Sequence, residues 1–173
     1  MKRSIASRHL ISVVLFVAAG LSWLTAGCAP RTKALFTLSE LRTYERLAVL
    51  GLTPEQEQLF MACYIRGFPA QATTFVERSR LQEVIKEQDL LQGRLDDKTR
   101  AKIRQVFGVE ALIMCNYDEG PEGKGMKKLR VRIVNSETGA IVGSVITEAM
   151  SDFESHCQQA VKALKRDLYS GRY

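Results

Sequence analysis

Leu129-Arg130-Val131-Arg132-Ile133-Val134-Asn135-Ser136-Glu137-Thr138-Gly139 is the stretch on which the fold turns. Leu129, Val131 and Ile133 alternate with Arg130 and Arg132, which is the period of a strand with one packed face and one wet face. Asn135 to Gly139 supplies turn formers, and Ala140 to Thr147 returns as the hairpin partner. Just upstream, Ala111-Leu112-Ile113-Met114-Cys115 is a short apolar run that reads as a buried strand. Asp118 to Gly125, with three glycines and a proline, is the loop between them. Downstream, Phe153, Cys157, Ala160, Val161, Leu164 and Leu168 form one stripe, predicting a helix from Asp152 to Leu168.

The first half of the domain reads the same way. Arg46-Leu47-Ala48-Val49-Leu50-Gly51-Leu52 is a buried strand. Thr53-Pro54-Glu55-Gln56 then opens a helix with a capping box and a proline in its first turn. Leu59, Phe60, Cys63 and Tyr64 follow at helical spacing, and Gly67 is placed to end it. Ala72 to Val76 is rich in strand formers. Ser79 can cap a following helix in which Leu81, Val84, Ile85 and Gln88 share a face. Asp96 or Asp97 starts another, carrying Ile103, Val106 and Phe107, and Gly108 closes it. The predicted class is α/β, a single mixed-sheet sandwich domain with the order β-α-β-α-α-β-β-β-α.

In front of this domain the chain has a different character. Lys2, Arg3 and Arg8 precede an uncharged run from Leu10 to Gly27, and Leu24-Thr25-Ala26-Gly27-Cys28 has the layout of a lipoprotein cleavage box. Residues 1–27 are therefore expected to be a lipoprotein signal peptide. Residues 28–45 are expected to be lipid anchor and tether, with Leu35 to Tyr44 apolar enough to pack on the domain, and 46–173 the domain. Cys28 would carry the lipid, and two or more acyl chains hold a protein stably on a bilayer. Ala29, in place of an aspartate, points to the periplasmic side of the outer membrane.

The whole chain has a formal charge of +6, but the signal removes three basic residues and no acidic ones. The mature chain keeps 22 basic against 19 acidic residues, a net +3. That small excess gives no reason to expect nucleic acid as a partner. Cys63, Cys115 and Cys157 lie among apolar neighbours and read as buried small hydrophobes, with one disulfide as the alternative. His156 is the one histidine of the mature chain, and its neighbour Cys157 points about 100° away on the helix, so the two form no nucleophile–base pair. The loop Gly120-Pro121-Glu122-Gly123-Lys124-Gly125 lacks the spacing and the following Ser or Thr of a phosphate loop. Glu77, Arg78, Arg80, Glu83, Lys86, Glu87 and Asp89 alternate in sign as a solvated helix face does. No catalytic, metal or cofactor site emerges. Lys124, Lys127, Lys128, Arg130 and Arg132 make a basic hairpin, a solvated face or else a docking patch for an acidic partner or anionic headgroups.

Four local features resemble the curli assembly and transport lipoprotein family (CsgG-like). They are Arg46 to Val49, Val76-Glu77-Arg78-Ser79-Arg80-Leu81-Gln82-Glu83-Val84-Ile85-Lys86-Glu87-Gln88, Phe107-Gly108-Val109-Glu110-Ala111-Leu112-Ile113-Met114, and Val131 to Gly139. The resemblance implies a periplasmic α/β domain, often in ring assemblies, tied to secretion or envelope building. The family's secretion members insert long hairpins that build a membrane barrel. Here only a short Gly-rich loop separates Tyr117 from Lys127, and no second alternating segment follows Thr147. The expectation is thus a non-enzymatic, lipid-anchored protein acting through protein contacts as an accessory or assembly factor, with a homo-oligomer among its possible states. The alternatives are an oligomeric secretion channel component and an activator of cell-wall synthases.

Overall fold

The computed structural model describes residues 30–92, 95–121 and 125–170. The expectations for the signal peptide, for Cys28 and Ala29, and for Lys124 fall outside the described residues.

Six strands form one mixed sheet: β1 (Arg31–Thr37), β2 (Arg46–Leu50), β3 (Thr74–Phe75), β4 (Ala111–Asp118), β5 (Lys127–Asn135) and β6 (Ile141–Ala149). Their spatial order is β1-β6-β5-β4-β2-β3. β2 runs parallel to β3 and to β4, and the other neighbours are antiparallel. The helices are α1 (Pro54–Gly67), α2 (Arg78–Gln82), α3 (Glu87–Gln92), α4 (Asp97–Phe107) and α5 (Phe153–Tyr169), with a 3-10 turn at Ser39–Thr43. The α/β mixed-sheet class read from the sequence is the class observed.

Local chemistry accounts for the long helices. Thr53 accepts from the Gln56 N–H while the Gln56 side chain accepts from the Thr53 N–H, so the capping box of α1 is complete. Asp96 accepts from the Thr99 N–H at 2.7 Å and Asp152 from the Ser155 N–H at 2.8 Å. All six residues of the predicted α5 stripe are buried. Helices α1 and α5 cover one face of the sheet, over Leu47, Val49, Ile113, Cys115, Val131, Ile133 and Val145. They approach closely at Gly67, where any Cβ would fall 2.1 Å from Val161 Cγ1. Gly67 is still helical, and Phe68 is the C-cap, so the glycine serves the helix–helix contact rather than termination. On the other face Leu81, Ile85, Ile103 and Phe107 pack on Ala48, Leu50 and Leu112.

Two expectations need correction. The stretch read as tether, residues 28–45, contains β1 and the 3-10 turn, so the folded unit begins by Arg31. β1 pairs along β6 and occupies what would otherwise be an open edge. Leu41 is fully buried, Gln71 Nε2 donates to the carbonyls of Leu41 and Tyr44 at 2.7 and 3.1 Å, and Arg42 Nη2 donates to the Leu168 carbonyl at 2.5 Å. Tyr44 Oη donates to Glu40, and Asn135 Nδ2 donates to Glu40 Oε1 at 2.7 Å and to Tyr44 Oη at 2.9 Å. These contacts tie the segment to the hairpin turn. The helix expected after Ser79 is two short ones, α2 and α3, with Leu81 and Ile85 both inserted into the second core.

Candidate functional site

An uncovered sheet face is the most distinctive surface of the domain. Helices α2 to α4 pack on the β2–β4 half, and among the described residues no element lies over the same face of β5, β6 and β1. Strand alternation decides what shows there. Arg132 stands between Met114 and Ser144, Arg130 between Asn116 and Ile146, and Lys128 between Asp118 and Glu148. Gln92 closes one side of a cleft of about 500 Å³ lined by Met114, Asn116, Arg130, Arg132, Ser144 and Ile146.

The charges on this face are unevenly used. Lys33 Nζ and Lys128 Nζ both pair with Glu148, at 3.0 and 3.3 Å, and hold its carboxyl below the usual carboxylate range. Arg130 Nη1 donates to Asn116 Oδ1 at 2.9 Å. Arg132 is exposed and has no hydrogen-bond or ion-pair partner among the described residues. The surface can therefore offer a planar, fully charged donor fork beside apolar Met114 and Ile146, which suits a carboxylate carried on a protein segment.

The structure divides the five basic residues expected to act together. Lys128, Arg130 and Arg132 share the open face. Lys127 lies on the opposite face, near Asp152 and His156, because neighbouring residues of a strand point to opposite sides. Lys124 is outside the described residues. What sequence reasoning missed is Arg78, read there as part of a solvated run. Its Nη1 donates to Glu57 Oε2 at 2.9 Å and to the Leu52 carbonyl at 3.2 Å, with the two side chains only 13% and 5% exposed. Glu57 lies on α1, 21 residues away, so no local pattern marks the pair.

The remaining chemical groups are structural in character. Cys63, Cys115 and Cys157 are buried free thiols, and burial pushes all three up, away from the thiolate. His156 is fully buried, shares a 2.8 Å hydrogen bond between Nδ1 and Thr147 Oγ1, and stacks edge-on to Tyr117. Burial first, and then the Lys127 charge, lower its pKa, against the Ala149 backbone and Asp152, which raise it. The unfolded chain protonates this histidine near pH 6.5, and the folded chain does so at lower pH. Its stabilising effect is therefore complete above about pH 6.5 and is lost as pH falls towards the folded value. The expected result is a Tm that declines from pH 7 to pH 5 in the parent and less steeply in His156→Gln. Thermal unfolding at several pH values measures this, and equal slopes would refute it. Glu148 and Asp152, both lowered, add a loss of the same sign only at more acidic pH. No group of three or more metal-ligating side chains occurs among the described residues.

Residues 71–127, from just before β3 to the start of β5, match the family model of the curli production assembly/transport component CsgG. Over these residues the chain resembles that family. The match holds the Val76–Gln88 and Phe107–Met114 stretches, and stops short of the hairpin motif at Val131–Gly139. No curated protein matches the chain in sequence. Among solved structures, the PelC dodecamer from Paraburkholderia phytofirmans is similar at 12% identity and TM-score 0.47, covering 80% of this chain and 96% of that one. The LpoB C-terminal domain from Salmonella enterica is similar at 13% identity and TM-score 0.43, with 60% and 81% covered. Lipoprotein GNA1162 from Neisseria meningitidis is similar at 13% identity and TM-score 0.42, with the same coverage.

Proposed function

We propose that this protein is an envelope lipoprotein, anchored through Cys28 on the periplasmic side of the outer membrane. It acts through protein contacts as an accessory or assembly factor in secretion or envelope building. The CsgG-like match over residues 71–127 carries this reading. The open sheet face supplies the contact surface, with Arg132 and Arg130 receiving an acidic segment of the partner. The burial of the thiols and of His156 supports a role in binding rather than in turnover. The connections after β4 (119–126) and after β6 (150–152) are shorter than a membrane hairpin, in which each strand needs about 9–11 residues. That favours an accessory role over a channel built by this chain.

The test is made in cells, with a photoreactive residue replacing Ser144 inside the cleft. A discrete adduct with another envelope protein is expected, weakened about tenfold or more by Arg130→Glu with Arg132→Glu. Cys28→Ser with residues 1–27 removed is expected to move the protein from the membrane to the soluble fraction. Adducts indifferent to charge reversal would remove the open face from the proposal. Membrane retention of Cys28→Ser with residues 1–27 removed would remove the anchor.

A further inference from the structure

Met126 and Met150 are the two most exposed large apolar residues of the sheet's strand ends, at 54% and 63%. Met126 immediately precedes β5 and Met150 immediately follows β6, and the cross-strand pair of Lys127 with Ala149 puts both at the same end of the hairpin. β1 begins at this same end, because Arg31 is paired with Glu148. Neighbouring strands lie about 4.8 Å apart, so Arg31 starts within roughly 10 Å of the methionine pair by strand count. Cys28 is three residues before Arg31, and three residues span at most about 10 Å. A lipid on Cys28 therefore holds this end of the domain against the bilayer, whatever path residues 28–30 take.

We infer that the Met126–Met150 tip is seated in the interfacial layer of the membrane that carries the anchor. The inference rests on the anchor proposed above and adds an orientation to it. Isolated exposed methionines need no explanation, but two adjacent ones at the point where the chain must meet lipid do. The lysines near this tip are neutralised within the fold, while Arg31 at the start of β1 is exposed. Lys33 and Lys128 are both paired with Glu148, and Lys127 lies near Asp152. The occupant is thus a bilayer surface met by apolar side chains, with uncharged headgroups sufficient. Arg130 and Arg132 stand further along the strands, clear of the lipid, which leaves the open face available for a protein.

The tip reports on itself, because exposed methionines oxidise to sulfoxides. Full-length protein processed in cells is reconstituted into phosphatidylcholine vesicles and treated with chloramine-T. Sulfoxide at each methionine is followed by mass spectrometry, which also reads the modification of Cys28. The soluble Cys28→Ser variant is treated in parallel, with half-buried Met61 as the internal reference. The expected result is oxidation of Met126 and Met150 slowed several-fold in vesicles, unchanged by salt, with Met61 alike in both samples. Equal rates in the two samples with a lipid on Cys28 would overturn the seating and leave the anchor standing. Methionines already slow in the soluble variant would place them at a protein interface and overturn the seating too. Membrane-bound protein with an unmodified Cys28 would overturn the anchor, and the seating with it.

Discussion

Gly51→Ala is expected to destabilise the domain by about 2–5 kcal/mol, among the largest effects a single methyl can have here. Two costs add. Gly51 turns the chain out of β2 with φ +85°, a region that costs a side chain about 1–2 kcal/mol. The new Cβ would also lie 1.9 Å from the Cys115 carbonyl oxygen. That oxygen belongs to the backbone of β4 and cannot rotate away, so relief requires shifting one strand against another, at about 1–3 kcal/mol. Gly125 provides the comparison. Its φ is +118° but nothing lies within 4 Å of the added atom, so Gly125→Ala meets the strain without the clash. Urea unfolding of both variants separates the two contributions. A Gly51→Ala midpoint equal to that of Gly125→Ala would mean that the approach to Cys115 is not tight.

Arg78→Met is expected to cost about 3–5 kcal/mol at neutral pH, the usual penalty for removing one partner of a buried ion pair. The loss includes the 2.9 Å contact with Glu57 and the bond to the Leu52 carbonyl, which tie α2 to α1 and to the turn after β2. Replacing both charges, in Glu57→Leu with Arg78→Met, is expected to recover most of that loss, because apolar packing of similar volume often substitutes for a buried pair. Unfolding of the parent, both single variants and the double gives the coupling energy. A double variant no better than Arg78→Met alone would show that the guanidinium matters through other contacts.

Both predictions concern places where sequence and structure part company. The strands β2, β4, β5 and β6 and the helices α1 and α5 were legible because each shows a short apolar run, a clean alternation or a capped stripe. β1 was not. Its register shifts between Thr32 and Ala34, which breaks the period of two in Arg31–Thr37 and hides the strand among polar residues. The Glu57–Arg78 pair joins two elements distant in sequence, and each partner in isolation looks like a surface charge. The basic hairpin was visible as a cluster of charge, but which of its residues share a face depends on register. Arg132 and Lys128 fall together, and Lys127 falls away from them. Leu59 and Val106 fit the helical stripes on paper and are exposed in the fold, since a stripe only suggests which side a helix buries.

The direction of β1 has a mechanical consequence. The strand starts at the end where the proposed anchor would attach and runs away from it, antiparallel to β6. If the partner pulls the domain outward while Cys28 holds to lipid, tension enters at Arg31 and runs along the strand axis. Antiparallel ladder bonds lie perpendicular to that axis, so the load is borne in shear by the whole ladder at once, rather than by bonds failing one at a time as in unzipping. A tether attached at Thr37 instead would have peeled the strand away. With the proposed anchor in place, the edge strand would be a strain-bearing coupling between lipid and fold.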